Sequence, residues 1–506
     1  MNRKSLFINV LANIVSFIVG FGISFLLTRF IVQSLGKEAY GFIGLSNNFV
    51  SYITIITSAL NAMASRFISI KLFEDDQVGA QRYFSSVIFS NVILAAILAI
   101  PMLIFTLFID KAIHIPADLI EDVKILWIII SIDFLFSLCT NIYSVAIFVK
   151  NKLYLNSLRT IVAQLLKTAV LLVCFICFPL HVWYIALANT FATVYVFFYN
   201  IKYTRKFLPD IHIRINSFRF KAVKEILASG IWNSLNNLNA VLLQGLDLLI
   251  ANLFINEAAM GLLAIIRTVP GYFSQLFGLF SPSFQPKMFK LYAEKNEVEL
   301  AQYINRCNKL VICFISIPIA GFIVFCDVFF RLWLPSENSV LMRKLSILTM
   351  AAVFSDTYTG VLFSVYIVTN KLKTASLINF ITGVINVVFV FLALKFTDYG
   401  IYAIAGVSSL VTMIKSLSFN PLYSARCLGT KWNTFYGNIL RGTMSLIIIF
   451  LIASIIKSVW DIQTWGMLVI AALVTAGLGG VINMFILFNA EERLDFISIV
   501  RRRLHI

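Results

Sequence analysis

The stretch FVKNKLYLNSLRTIV, Phe148–Val162, has a counterpart in IVTNKLKTASLINFI, Ile367–Ile381. Asn151, Lys152, Leu153, Ser157 and Leu158 match Asn370, Lys371, Leu372, Ser376 and Leu377, each at a separation of 219 residues. Two more regions keep nearly the same shift. KLFEDDQVGAQRY aligns with KLYAEKNEVELAQY, with Ala80-Gln81 over Ala301-Gln302 at 221, and Tyr203 and Leu208 fall over Tyr423 and Leu428 at 220. One short match carries little weight. A nearly constant shift across three regions points to an internal duplication of the whole first half.

What is duplicated follows from composition. The chain is 60% hydrophobic and 13% charged, with a mean hydropathy of +0.89. Soluble domains carry about 25% charged residues, so this is an integral membrane protein. Apolar windows of about 20 residues give fourteen expected spans: 6–34, 42–64, 84–109, 123–148, 158–179, 182–201, 226–254, 258–284, 310–334, 344–369, 374–395, 401–424, 437–457 and 466–489. Arg3 and Lys4 precede the first apolar run, but the run continues to about Gly36 without a small-residue cleavage site. It reads as a retained first span.

The net charge of +17 would suggest nucleic acid in a soluble protein. Here most Lys and Arg lie in short connections on one side of the membrane, which excludes that class. The bias places both termini in the cytoplasm. The largest inner connection, KYTRKFLPDIHIRINSFRFKAVKE (202–225), reads as an anchor on an anionic leaflet. The longest outer connection, DKAIHIPADLIED (110–122), is too short for a folded domain. That counts against an enzyme with a site on an external loop. Cys174 and Cys177 form a C-x-x-C inside an apolar segment, and the four His are scattered. No metal or cofactor is expected.

The repeat shift crosses six expected spans, so both copies share one orientation. That is a parallel repeat about an axis along the membrane normal. The expected fold is an all-α polytopic membrane protein with two six-helix lobes in pseudo-twofold repeat plus two extra C-terminal helices. The N-lobe covers 1–204 (spans 1–6), a basic cytoplasmic linker 205–225, and the C-lobe 226–428 (spans 7–12). Residues 429–506 hold spans 13–14 and a cytoplasmic tail. The ligand site is expected between the lobes.

Polar residues inside the spans suggest what that site holds. Span one carries Asn9, Asn13, Ser16, Gly20 and Ser24 at helical spacing, and span seven carries Asn233, Asn237, Gln244 and Asp247. Helix packing through small and amide residues accounts for many Gly and Ser positions. The density of amides in span seven points instead to a cavity wall. Charges within spans are Arg29, Lys167, Arg267, Arg331, Lys415 and Arg441, with Asp133, Asp247, Asp327 and Asp356. Arg331, Asp327 and Arg441 lie near an interface, and Asp327 and Arg331, four apart, could pair with each other. Arg267, in IIRTVPGYFSQLFG (Ile265–Gly278), lies deep. A central Arg costs roughly 2.5–3.5 kcal/mol on insertion scales. A water-filled cavity and a phosphate-bearing ligand would offset that cost. The competing reading is an internal pair of Arg267 with Asp247 or Asp356. Pro270 leaves the carbonyl of Ile266 without its helical donor, so a kink is expected there.

TRFIVQSLGKEAYGFIGLSNNF (Thr28–Phe49), with Arg29, Leu35, Gly36, Glu38, Tyr40 and Gly41, and SALNAMASRFIS (Ser58–Ser69) resemble the polysaccharide-transporter branch of the multidrug/oligosaccharidyl-lipid/polysaccharide exporter superfamily. O-antigen flippases belong to that branch. The resemblance implies a flippase, not an enzyme, in the bacterial cytoplasmic membrane. It would move polyprenyl-pyrophosphate-linked oligosaccharide from the inner to the outer leaflet by alternating access. The related lipid II flippases use basic residues of spans one and eight, where Arg29 and Arg267 stand here. Lys167 and Lys415 join them as pyrophosphate ligands on the charge argument alone. Asn233, Asn237 and Gln244 are expected on sugar hydroxyls. Asp133, Asp247 and Asp356 are expected to hold a coupling ion, H+ or Na+, or to act as a switch. Membrane lipids and other glycan-assembly membrane proteins are the further partners this reading admits. The alternatives are a multidrug cation extruder of the same superfamily and a lipid II flippase. Three deep Lys/Arg, three deep Asp and Arg29 do not make the acid-dominated cavity that an extruder of cations needs.

Overall fold

The computed structural model describes the backbone of residues 3–150, 152, 154–278 and 281–493; at 3–11, 62, 233 and 281–283 the side chains lie outside that description. Among the described residues there are helices and connections but no strand. Fifteen helices are used below. They are α1 (Arg3–Phe73), α2 (Gln77–Leu107), α3 (Ile120–Thr140), α4 (Tyr154–Cys177), α5 (Tyr184–Phe207), α6 (Phe220–Ala240), α7 (Asp247–Phe254), α8 (Glu257–Gly278), α9 (Ser281–Ala293), α10 (Glu297–Trp333), α11 (Ser339–Val368), α12 (Leu372–Phe396), α13 (Ile401–Cys427), α14 (Tyr436–Val459) and α15 (Trp465–Ile486).

Twelve helical stretches among the described residues are long and apolar enough to cross a membrane. Two features separate that number from the fourteen expected windows. The windows 6–34 and 42–64 both lie within α1, which counts once. The helix α8 is not among the twelve, because Glu257, Arg267 and Gln275 dilute its apolar run.

The helix α1 is not one straight rod. Gly36 has φ 89° and ψ 165°, a conformation that glycine adopts at little steric cost. Thr28 Oγ1 lies 3.2 Å from Tyr40 OH, whereas twelve residues of straight helix would separate them by about 18 Å. The chain therefore bends sharply at Gly36.

The molecule divides into two compact units, Met1–Ile265 and Ile266–Ile506. In the first, Leu60, Ile68, Phe84, Val87 and Ile226 form a core where α1, α2 and α6 meet. Ile31, Leu171 and Tyr184 form another among α1, α4 and α5. Small residues allow the closest approaches. A Cβ on Gly230 of α6 would overlap the Ala59 carbonyl of α1, and one on Gly41 would fall 2.8 Å from the Gly261 Cα of α8. Ser58 and Ser234 add a hydrogen bond of 3.0 Å between α1 and α6. These contacts place α6, which the repeat assigns to the head of the second lobe, in the first compact unit.

The basic connection before α6 is held on α2 by its backbone. His212 N–H donates to Gln81 Oε1 at 2.8 Å, and the Gln81 amide donates back to the His212 carbonyl. Arg214 N–H donates to Ser85 Oγ at 3.2 Å and Arg219 N–H to Ser86 Oγ at 2.9 Å. The side chains of Arg214, Arg219, Lys221 and Lys224 stay exposed.

In the second unit the core runs through Ile312, Ile319, Tyr358, Val361 and Tyr366 on α10 and α11 to Phe435 and Ile439. The two C-terminal helices dock on α10. Asn483 of α15 donates to the Cys313 carbonyl at 2.7 Å and to Ser316 Oγ at 2.9 Å, and accepts from Ser445 of α14. Tyr358 OH donates to the Gly442 carbonyl at 3.0 Å.

Candidate functional site

Each unit keeps a lysine and an aspartate together on apolar helices. In the first unit Lys167 of α4 donates to Asn189 Oδ1 at 3.2 Å, and Asn189 Nδ2 donates to Asp133 Oδ2 at 2.9 Å. Asn189 of α5 thus bridges the cation on α4 and the acid on α3. The second oxygen, Asp133 Oδ1, is buried and has no hydrogen-bond partner among the described residues. In the second unit Lys415 Nζ of α13 lies 3.6 Å from Asp356 Oδ1 of α11. The hydroxyl of Ser416 donates to the same oxygen at 2.5 Å. Low dielectric strengthens the first arrangement, where an unmatched charge would be costly; in the second the Asp356 side chain is 45% exposed.

Asn189 and Ser416 were not among the residues singled out from the sequence. An amide in the middle of the apolar run 182–201 was the available signal for Asn189. Ser416 carries none, because serines are common in membrane helices.

Arg29 of α1 is half-buried and has no ion pair or hydrogen bond among the described residues. Arg267 is half-buried on α8, which stays helical through Pro270.

Span seven departs from the single polar face expected of it. A π-helical turn, Val241–Gly245, separates α6 from α7. It inserts one residue relative to an α-helix, which rotates everything after it by about 100°. Asn237 is half-buried before the turn, Gln244 is exposed within it, and Asp247 is 1% exposed just after it. Asn233 and Asn9 lie where side chains are outside the described residues. The carbonyl of Gly245 accepts from Asn48 Nδ2 at 2.9 Å and Tyr52 OH at 2.6 Å, both from α1. Beyond the turn, Asn252 of α7 clamps the connection between α2 and α3. Its Oδ1 accepts from His114 N–H and its Nδ2 donates to the His114 carbonyl, each at 2.9 Å.

The expected Asp327–Arg331 pair does not form. Asp327 accepts from Lys457 of α14 at 2.5 Å and lies 3.8 Å from Arg343, while Arg331 donates to the Ile462 carbonyl at 2.8 Å. A neighbouring helix offers Asp327 a better-placed cation than its own next turn does. Arg441 is exposed, in keeping with a snorkelling side chain.

Residues 3–292 match the family described as polysaccharide biosynthesis protein. EpsK of Bacillus subtilis (strain 168), an uncharacterized membrane protein, is 27% identical over 486 residues, 96% of this chain and 96% of its own length. Among solved structures the chain is similar to the lipid II flippase MurJ in an inward closed conformation. The TM-score is 0.69 at 17% identity, over 98% of this chain and 99% of that one. It is also similar to an inward-facing multidrug resistance MATE transporter of the MOP superfamily, at TM-score 0.63 and 17% identity over 82% of this chain and 94% of that one. The fold is that of the transporters and flippases of this superfamily.

Proposed function

The chain belongs to the polysaccharide biosynthesis protein family, and from that premise we propose that it is a flippase for polyprenyl-pyrophosphate-linked oligosaccharide. It would move this lipid from the inner to the outer leaflet of a bacterial cytoplasmic membrane, by alternating access between two lobes. Fourteen crossings, counting two in α1 and one in α8, would leave both termini in the cytoplasm.

The observation that carries this reading is the set of cations kept on apolar helices. Lys167 and Lys415 each have a carboxylate of their own unit close by. Arg29, half-buried, has none among the described residues. Cations are retained in a membrane interior when they serve a ligand or an ion path. Arg29 and Arg267 would grip the pyrophosphate by paired hydrogen bonds, with Lys167 and Lys415 adding charge. Asn233, Asn237 and Gln244 would meet sugar hydroxyls. Asp133, Asp247 or Asp356 would take up the coupling H+ or Na+. An inside-negative potential favours outward movement of an anion by about 2.3 kcal/mol per charge per 100 mV.

The test is the thermal stability of the purified protein and of Arg267→Ala, with polyprenyl-pyrophosphate sugars or organic cations added. A ligand that binds only the folded protein raises its melting temperature, by roughly 2.7 kcal/mol of stabilisation at a hundredfold excess over Kd. The expected result is stabilisation by the pyrophosphate lipid, lost in Arg267→Ala. Stabilisation by cations alone would overturn the reading in favour of a drug extruder. Equal stabilisation of both proteins by the lipid would remove Arg267 from the site.

A further inference from the structure

Between α1 and α3 the first unit holds a cavity of about 330 Å³. Small-molecule sites occupy about 300–1,000 Å³. Two helical stripes of matching spacing form its walls. On α1 these are Thr54, Thr57, Ser58 and Asn61; on α3 and the 3-10 turn that follows it (Asn141–Ser144) they are Phe134, Ser137, Leu138 and Asn141. Both follow the i, i+3, i+7 pattern that keeps side chains on one helix face. None of the lining residues is charged.

The two walls offer different hydrogen-bonding groups. On α1 the hydrogens are already committed. Thr54 Oγ1 donates to the Val50 carbonyl at 2.8 Å and Thr57 Oγ1 to the Thr54 carbonyl at 3.4 Å. Asn61 Nδ2 donates to the Thr57 carbonyl at 3.0 Å and to Asn91 Oδ1 at 3.3 Å, and Asn91 Nδ2 donates back to Asn61 Oδ1 at 2.9 Å. What α1 presents is therefore a row of oxygen lone pairs, held in place by Asn91. On the opposite wall the side chains of Ser137 and Asn141 make no hydrogen bond among the described residues, so both donors and acceptors are available. Phe134 adds an apolar ring beside them.

Such a lining excludes two ligand classes. An anion would face the lone pairs of α1, and an organic cation would find no carboxylate in the wall. A neutral polyol fits: its hydroxyls donate to α1, accept from Asn141 and Ser137, and its C–H face covers Phe134. We propose that this cavity is the subsite for one neutral sugar residue of the lipid-linked cargo. The proposal rests on the flippase reading above. It adds a place for the glycan on α1 and α3.

The test uses the purified full-length protein and four probes: polyprenyl pyrophosphate without sugar, and the same lipid bearing glucose, galactose or N-acetylglucosamine. The variants are Thr57→Val on one wall and Ser137→Ala with Asn141→Ala on the other. In the parent protein at least one sugar should tighten binding relative to the bare lipid. Each variant should lose about tenfold of that gain, as expected for one or two hydrogen bonds. Affinity for the bare lipid should stay unchanged, which also shows that the variants fold. Variants that keep the sugar gain, or that weaken bare and sugar-bearing lipids alike, would overturn the subsite. So would a parent that gains nothing from any sugar. A parent that binds no pyrophosphate lipid at all would overturn the flippase reading, and the subsite with it.

Discussion

The two units answer the same electrostatic problem with different parts. In the first, Asp133 and Lys167 are joined through Asn189 and do not touch. In the second, Asp356 and Lys415 lie 3.6 Å apart, with Ser416 on the acid. The duplication does not carry the cation across: 219 residues after Lys167 stands Asn386. The acid shifts as well. Asp133 precedes Asn151 by 18 residues and Asp356 precedes Asn370 by 14, a difference of about one helical turn. Duplication has kept the sequence NKL and the serine after it, and let the charges move. The requirement that persists is a nearby opposite charge, not a particular position.

That comparison breaks most visibly at the lysines. Lys167→Met should lower the thermal stability by about 3 kcal/mol, because it leaves a half-buried carboxylate without its nearby cation. Adding Asp133→Asn should restore most of the loss, and melting curves of the two variants measure it. If the double variant stays as unstable as the single one, the bridged pair is not an electrostatic unit. Lys415→Met should cost about 1 kcal/mol, since the Asp356 side chain is 45% exposed and water screens it. A larger loss there than at Lys167 would reverse the contrast between the units.

The smallest effects belong to the ion pairs at the ends of the spans. In the first unit Lys124 holds Asp110 at 2.8 Å and pulls its carboxyl below the usual 3.8. In the second unit burial pushes Glu492 up, but the Asn489 N–H and Lys309 more than offset it, and the group ends below the usual 4.5. A carboxylate lowered on folding stabilises above its unfolded pKa and loses that contribution as pH falls through the folded one. Glu492→Gln and Asp110→Asn should therefore lower the melting temperature at neutral pH. Both differences from the parent should disappear well below pH 4. The Glu492 effect should be the larger, since Lys309 is only 11% exposed against 33% for Lys124.

Long apolar runs made the helices legible, and the observed elements follow the expected windows closely. A membrane interior forces the backbone to satisfy itself, so twenty apolar residues leave few alternatives. Partner choice was less legible. Sequence spacing suggested Asp327 with Arg331, but the pairing is decided by what another helix brings near, and α14 brings Lys457. The π-helical turn was invisible for a similar reason. VLLQG has no unusual composition; the turn persists because Asn48 and Tyr52, some two hundred residues away, hold the Gly245 carbonyl. The cavity between α1 and α3 was hidden among residues that also serve as ordinary helix-packing groups.

The same turn has a mechanical consequence. The stretch Phe220–Phe254 behaves as a jointed shaft whose two halves are set by separate keys. Upstream, Gly230 and Ser234 seat the shaft against α1. Downstream, Asn48 and Tyr52 key the joint itself, and His114 keys the far end through Asn252. The angular setting of Asp247 is thereby decoupled from the rod that precedes it. Torque applied at the basic connection is resisted at the joint before it reaches the aspartate.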